Sequence, residues 1–501
     1  MAYRYCHSRR LRATLTPGLV LALALPLALA ACGADRRGAL PVALAGDETA
    51  FQTAATRPSP AAQVLRAATV EGLVGFDAQG RVVPAIAERW IVTDDGLSYI
   101  FRLRDGTWPD GSPIDAPSVA AALRRARAAL ADTALGLDLA PIDEIRVMTD
   151  RVVEVDLSAP LPDLLTLLAQ PELGLPRTRL GSGPLGLRRD GLVASLSPIP
   201  PEKRGMPAQD GFSRSVRPLH VEVESMAIAA KRFNDGLVDV ALGGMIDSLP
   251  LAGTTMLSRG NVQLDPVMGL FGLQVLRAQG FLADPLRREA LALAIDRDGF
   301  VGAFGIGGWS GTTRLVSPEV PDSDGSVGER WGDTTLDQRR ALARQRVLAW
   351  MAAGEGAPAL RVAAPDGPGS RLALARIGAD FASIGVQIER VDEGQPADLR
   401  LVDTVARYTR AAWFLNQLAC PVSPAGCSPA GDALAAQART ERDPQARLAL
   451  LAQAERAVTA ANGFIPIARP LRWSLVRSGV TGFSPNPWGW HPLPPLTVVP
   501  R

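Results

Sequence analysis

Apolar and polar residues alternate with the period of a β-strand in one early segment of the chain. The segment "WIVT", which starts at Trp90, is followed by Asp94-Asp95-Gly96, and every second residue from Leu97 to Leu103 is then apolar. This order is typical of two strands joined by a tight turn. It predicts a β-hairpin with one buried face.

Helical periodicity marks several other segments, and capping residues indicate their ends. Helices are predicted at 116–130 after the cap Asp115, at 227–234 near Gly236, from Asp284-Pro285 onward, and at 371–384 before Gly385. Strands are predicted at 237–244 and 386–391, and loops at 132–145, 317–335 and 353–370. Helices that alternate with strands predict an α/β fold with mainly parallel sheets.

The N-terminus has the three parts of an export signal. Arginines 4, 9, 10 and 12 precede an apolar segment, 18–31, that is too short to span a bilayer. The segment ends in Leu29-Ala30-Ala31-Cys32, which resembles the lipobox of bacterial lipoproteins. We expect residues 1–31 to be a signal peptide and Cys32 to anchor an exported protein by lipid at the periplasmic face of a bacterial membrane. A short, uncleaved membrane anchor is the alternative.

Charge argues against nucleic acid as a partner. The formal net charge is +2, and it becomes −2 without residues 1–31, which carry four arginines and no acid. The only lysines are Lys203 and Lys231, and no basic cluster appears. Nucleic-acid binding needs clustered positive charge, so we expect none.

Besides Cys6 in the signal peptide and Cys32 at the lipobox, the chain has two cysteines, Cys420 and Cys427, with two prolines and a glycine between them. An exported protein meets oxidising conditions, so a disulfide is predicted. A zinc site is the rival interpretation, but it needs four ligands, and the histidines beyond the signal are only His220 and His491. We expect no metal and no cofactor.

Five segments, in order, resemble the family 5 extracellular solute-binding proteins, the peptide- and nickel-binding receptors of ABC importers. They are 70–125, with "DGTWPDGSPIDAPSVAAALRR" at its end; "GSGPL" at 181–185; "AIAAKRFNDGLVDVALG" at 227–243; "DPLRREALALAIDRDGF" at 284–300; and "GFIPIARPLRWSLVRSGVTGFSPNP" at 463–487. Each motif alone is weak. Their order is specific.

The resemblance implies a two-lobed periplasmic binding protein-like fold with an extra N-terminal domain, in which the lobes close over a ligand by a hinge. The expected domains are I, at 32–71, 176–268 and 480–501; II, at 72–175; and III, at 269–479. It implies a monomeric lipoprotein that captures a peptide or peptide-like solute and delivers it to an ABC permease and its ATPase.

Two alternative functions differ from import. A lipoprotein of the same fold could bind a non-peptide, anionic ligand for sensing or presentation without transport. A periplasmic hydrolase would need catalytic motifs, and the chain has neither Gly-x-Ser-x-Gly nor His-Glu-x-x-His. We therefore expect a protein that is not an enzyme.

The segment "ARYTRAAWFLN" at 406–416 holds the main ligand-binding candidates. In peptide-binding members of the family, an aspartate at the position of Arg407 receives the amino terminus of the peptide. A guanidinium there favours a carboxylate or carbonyl group instead. The alternative is a structural ion pair of Arg407 with Asp403. The full candidate set is Arg407, Tyr408, Trp413, Asp403, Arg277 and Trp309.

Overall fold

The structure is a computed structural model that describes residues 38–176, 182–253, 260–323 and 325–500. The predicted signal peptide, the lipobox with Cys32 and the first residue of the segment 181–185 lie outside the described residues.

Strands and helices of the described residues are numbered in chain order. The strands are β1 Leu40–Ala45, β2 Val74–Phe76, β3 Val82–Pro84, β4 Ala87–Val92, β5 Ser98–Leu103, β6 Ile142–Thr149, β7 Val152–Leu157, β8 Leu185–Asp190, β9 Val193–Pro198, β10 Leu219–Glu224, β11 Val240–Gly244, β12 Val262–Asp265, β13 Gly269–Val275, β14 Ala359–Ala363, β15 Gln387–Val391, β16 Leu399–Val405, β17 Phe464–Ala468 and β18 Arg472–Val476.

The α-helices are α1 Pro60–Thr69, α2 Ala116–Ala129, α3 Ala134–Asp138, α4 Leu164–Leu168, α5 Phe212–Ser215, α6 Met226–Asn234, α7 Pro285–Ala294, α8 Arg297–Phe304, α9 Leu336–Ala352, α10 Pro368–Ala382, α11 Ala411–Gln417, α12 Pro429–Thr440 and α13 Pro444–Ala461. Short 3-10 turns occur at Glu48–Phe51, Pro171–Leu173, Pro201–Arg204, Ile246–Gly253, Gly280–Ala283 and Pro494–Thr497.

Domain I is built on a seven-stranded sheet in the order β12-β18-β11-β1-β10-β9-β8. Only the β1 pairs with β10 and β11 are parallel, and the remaining pairs are antiparallel. Buried aliphatic side chains cover both faces of this sheet. The sheet is therefore mixed, and the prediction of mainly parallel sheets was wrong here.

Domain III contains a five-stranded sheet in the order β15-β14-β16-β13-β17, in which only the pairs of β14 are parallel. One strand within the predicted range 269–479 does not belong to it. β18 pairs with β11 and β12 in the sheet of domain I. By its strand pairing, β18 therefore belongs to the seven-stranded sheet, although it lies within the range expected for domain III.

Domain II contains the antiparallel sheet β4-β5-β7-β6 and the separate hairpin β2-β3. The predicted hairpin from Trp90 to Leu103 is confirmed, with Trp90 opposite Phe101 across the pair β4-β5. Tyr99, Phe101 and Leu103 are buried, as the alternation predicted.

Most predicted helices begin at the capping residue that indicated them. Asp115 accepts a hydrogen bond from Ser118 N at 2.8 Å at the start of α2, and Asp284 accepts one from Leu286 N at 2.8 Å before α7. The predicted loops at 132–145 and 353–370 were wrong, because they contain α3 and β14. Both elements are only five residues long, too short to show a full period.

The chain at Gly183 passes in direct contact with the C-terminal end of α1. Gly183 N donates to Thr69 O at 3.0 Å, and a Cβ on Gly183 would overlap the backbone of Thr69. A glycine is therefore needed at this contact for steric reasons. This part of the predicted bend at 181–185 has a structural role.

None of the helices that the structure describes is long and apolar enough to cross a membrane.

Cys420 and Cys427, the predicted pair, are joined by a disulfide, and their Cα atoms are 5.2 Å apart. The bridge closes a loop between α11 and α12, and Cys420 N donates to the Asp432 carboxylate at 2.9 Å. The helices on either side of this loop are thus linked covalently and by a hydrogen bond.

Replacing both cysteines by serine should lower the free energy of unfolding by about 2–3 kcal/mol, because the unfolded chain regains the freedom of a short loop. Urea denaturation of oxidised wild type and the double variant measures the difference. Reduced wild type is the matched control and should unfold like the variant. Equal stability of oxidised and reduced wild type would contradict the prediction.

Candidate ligand-binding cleft

A cavity of about 160 Å³ lies where the ends of strands from domains I and III face each other. Domain I contributes Ala45 at the end of β1 and Gly243 near the end of β11. Domain III contributes residues 403–407 from the end of β16. Ligands of α/β proteins bind outside the carboxyl ends of strands, so this cleft is the candidate site.

The cleft has polar groups on a mostly apolar wall. Polar and aromatic lining residues come from five separate parts of the chain: Gln63, Gln170, Asp403, Thr404, Arg407, Arg472, Trp488, Trp490 and His491. Such a wall suits a partly apolar solute with a few hydrogen-bonding groups.

Two short crossings, at 266–268 and 469–471, connect the sheets of domains I and III. An ion pair lies beside them: Arg472 Nη1 donates to Asp403 Oδ1 at 2.6 Å, and both side chains are largely buried. Ile246 N donates to the second oxygen, Asp403 Oδ2, at 3.2 Å. Asp403, a predicted ligand residue, therefore holds β16 against domain I.

Arg407 lines the same cleft, but its guanidinium already has partners in domain II. Nη1 donates to Glu172 Oε2 at 2.9 Å and to Gln170 Oε1 at 3.0 Å, and Nη2 donates to Glu172 Oε1 at 2.5 Å. The alternative prediction was a structural ion pair in which Asp403 is the partner of Arg407. The acid is instead Glu172, which lies 235 residues earlier in the sequence.

Tyr408 and Trp413 are placed in the protein interior. Tyr408 is 2 % exposed and donates its hydroxyl to Asp138 Oδ1 at 2.8 Å. Trp413 is 1 % exposed and packs edge-on against Phe414. Neither ring lines the cleft cavity. Trp413 therefore belongs to the hydrophobic core, which corrects its prediction as a ligand surface.

Arg277 and Trp309 do not lie at the cleft cavity either. Arg277 is exposed just after β13. Trp309 packs against Phe300 and Phe304, and its indole N–H donates to Arg469 O at 2.9 Å. The predicted candidates are thus divided, with Asp403 and Arg407 at the cleft and the other four elsewhere.

The sequence interpretation missed the C-terminal wall of the cleft. Asn486 and His491 hydrogen-bond to each other at 3.1 Å, and His491 Nε2 lies 3.2 Å from Asp265 Oδ2, just before the first crossing. The indole N–H of Trp488 donates to Gly80 O of domain II at 2.7 Å. The sequence feature that could have predicted this wall is the segment "SPNPWGWH", which places two tryptophans among turn residues.

Asp138 is a buried acid at the boundary between domains II and III. Burial raises its pKa from 3.8 to about 7, against the opposing effects of hydrogen bonds from Asn416 and Tyr408 and the charge of Arg407. Asp138 belongs to domain II, whereas Asn416 and Tyr408 belong to domain III. This carboxyl group therefore connects the two domains.

Among the described residues no cluster of three or more His, Cys, Asp or Glu could hold a metal ion.

Comparison with known proteins gives matches over most of the chain. Residues 81–186 match the family model "Bacterial extracellular solute-binding proteins, family 5 Middle". The chain is 24 % identical over 480 residues to "Probable di/tripeptide-binding protein 5" of Pseudomonas aeruginosa, covering 83 % of this chain and 87 % of that protein. It is 36 % identical over 122 residues to "Probable deoxycholate-binding periplasmic protein YgiS" of Escherichia coli, covering 21 % of this chain and 23 % of that protein.

A solved structure shows the same architecture. The complex of Haemophilus influenzae OppA with the peptide RPPGFSPFR superposes with a TM-score of 0.79 at 18 % identity, covering 92 % of this chain and 99 % of that chain. The likeness confirms the predicted two-lobed, multi-domain α/β fold.

Replacing Arg472 by methionine should lower the free energy of unfolding by about 3–5 kcal/mol, because the Asp403 carboxylate stays buried without its partner charge. Urea denaturation at neutral pH measures this loss. The control is Arg81→Met, because the Arg81 side chain is 75 % exposed in its pair with Asp77 and should lose less than about 1 kcal/mol. Similar losses in the two variants would contradict a buried pair at the crossings.

Stability should depend on pH through Asp138. Its folded pKa of about 7 lies above the unfolded value of 3.8, so its contribution is fully present below about pH 4 and is lost as pH rises to about 7. Asp138→Asn removes this titration. The stability of the variant relative to wild type should therefore increase by up to about 4 kcal/mol across that window. Urea denaturation at several pH values measures the difference, and a constant difference would refute the shift.

Proposed function

We propose that this chain is a member of the family 5 extracellular solute-binding proteins and the substrate-binding lipoprotein of an ABC importer. It is exported, held by lipid on Cys32, and acts as a monomer. It captures a peptide or peptide-like solute in the cleft and delivers it to a membrane permease and its ATPase.

The observation that carries this proposal is the position of the cleft. Its cavity lies between strand ends of two sheets that are joined by only two short crossings. A ligand that contacts both sheets at once favours their approach, which is the requirement for hinge closure. The names of the two curated relatives, one for di- and tripeptides and one for deoxycholate, support a solute with an apolar body.

Charge compensation in the cleft indicates how the solute is recognised. Arg472 is paired with Asp403, and Arg407 with Glu172, so these four side chains carry no net charge. A ligand ammonium placed beside Arg407 would meet a positive charge in a partly desolvated site, which is unfavourable. A ligand carboxylate offers Arg407 the same two-pronged geometry as Glu172.

We therefore propose that Glu172 occupies the position of a ligand carboxylate in this conformation. Arg407 belongs to domain III and Glu172 to domain II, so their pair is separated when the lobes open. The ligand carboxylate then binds the free guanidinium before closure. Under this proposal Arg407 determines ligand selectivity. Glu172 competes with the ligand carboxylate for the Arg407 guanidinium.

Calorimetry with a dipeptide, its N-acetyl form, its C-terminal amide and deoxycholate tests both statements. N-acetylation should change affinity by less than about threefold, whereas amidation should weaken binding by about tenfold or more. Arg407→Gln should abolish the preference for a carboxylate. Glu172→Gln keeps the shape of the competitor without its charge and should strengthen carboxylate binding.

A preference for a free amine, or an unchanged ligand profile in Arg407→Gln, would overturn the role of Arg407. Small-angle scattering on the same samples tests the hinge separately. A saturating ligand should reduce the radius of gyration, and an unchanged profile would overturn lobe closure whatever the selectivity.

A further inference from the structure

A second cavity, here named the Asp138 cavity, lies between domains II and III and shares no lining residue with the cleft cavity. Its volume is about 150 Å³. Domain II contributes residues near the end of α3 and in the segment 160–163, and domain III contributes α11, α12 and α13. It is therefore a separate space between the domains.

The inner end of this cavity has one unsatisfied buried oxygen. Asp138 is 3 % exposed, and its Oδ1 accepts from Tyr408 and from Asn416 Nδ2, the latter at 2.7 Å. Its Oδ2 has no hydrogen-bond partner among the described residues. A buried carboxylate oxygen without a donor is costly, so a donor at this point would be strongly favoured.

The outer end carries positive charge. Arg439 on α12 and Arg447 on α13 line the cavity and are exposed, and neither has a side-chain ion pair with another residue in the described ranges. Arg410 also lines the cavity, but it forms an ion pair with Asp163, in which Arg410 Nε donates to Asp163 Oδ2 at 2.9 Å. The two free guanidinium groups are thus available to an anion.

The wall between these ends is mainly apolar. It is formed by short and aliphatic side chains: Leu137, Pro141, Leu161, Ala435, Ala438 and Leu451. Such a wall accommodates methylene groups and offers few hydrogen bonds. Two further carboxylates line the cavity, and both accept hydrogen bonds: Asp163 from Arg410 Nε and Asp322 from Ala411 N. Besides these, the cavity pairs an acceptor at its inner end with cations at its outer end and an aliphatic wall between them.

We propose that the Asp138 cavity binds a small aliphatic zwitterion, with its ammonium group on Asp138 Oδ2 and its carboxylate at Arg439 and Arg447. The ammonium supplies the missing donor and the counter-charge at once. An ammonium fits better than a metal ion, because no cluster of three or more metal-ligating side chains exists in the part of the chain that the structure describes.

Occupation of this site should favour the closed arrangement. Asp138 belongs to domain II, whereas the two arginines belong to domain III, so one ligand would bridge both domains. A ligand that binds only the closed arrangement stabilises it by mass action. The site is thus an accessory site that adjusts affinity in the cleft.

Calorimetry on the purified chain with glycine, 4-aminobutyrate and 6-aminohexanoate tests the proposal, with butylamine and butyrate as matched single-charge probes. At least one amino acid should bind more tightly than either single-charge probe by about tenfold or more. Asp138→Asn should remove this binding. Asp392→Asn, which changes an exposed carboxylate, should leave it unchanged.

The double variant Arg439→Gln and Arg447→Gln keeps the interior intact, so it separates recognition from folding. The affinity of this variant for the amino acid should be about tenfold weaker than that of wild type, and its affinity for butylamine should be unchanged. Arg407→Gln is the control for the other site: it should lose binding only if the amino acid occupies the cleft rather than the Asp138 cavity. The proposal is overturned if no amino acid binds at about 10 mM, if the Asp138 and arginine variants bind like wild type, or if binding is lost only in Arg407→Gln.

Discussion

The geometry of the cleft depends on the buried pair between Arg472 and Asp403. The two crossings are only three residues long, and the backbone of Ile246 and Asp247 also packs closely against Gly367 and Gly369 at the start of α10. The pair fixes the end of β16 against the start of β18, and Ile246 N adds a third contact from domain I. Because burial makes a broken pair costly, the crossing is held while the rest of the lobes can move.

Charge pairs also connect domains II and III, beside the cleft and at the Asp138 cavity. Arg407 and Glu172 join domains III and II, and Arg410 and Asp163 join the same domains beside them. In both pairs the guanidinium is partly exposed, whereas the Glu172 carboxylate is buried. The Arg407 and Arg410 pairs are thus open to solvent on the arginine side, whereas the Arg472–Asp403 pair is largely buried on both sides.

Local patterns predicted the elements well, but they could not predict contacts between distant segments. The hairpin at Trp90–Leu103 and the capped helices at Asp115 and Asp284 follow from neighbouring residues. Trp413 was misassigned because an aromatic residue in a ligand-binding motif and one in a core look alike in sequence. The partner of Arg407 was missed because Glu172 lies 235 residues away. Short elements such as α3 were missed because five residues show no period.

The adjacent residues Arg407 and Tyr408 connect the two cavities. Arg407 lines the cleft, whereas Tyr408 lines the Asp138 cavity and donates to its carboxylate. A shift of the backbone at this point therefore moves a cleft guanidinium and the donor to Asp138 together. Under the proposed accessory site, a ligand in one cavity changes the affinity of the other, and thermodynamic linkage requires the effect to be equal in both directions. Under the two proposals together, the segment after β16 would couple solute capture in the cleft to the Asp138 cavity.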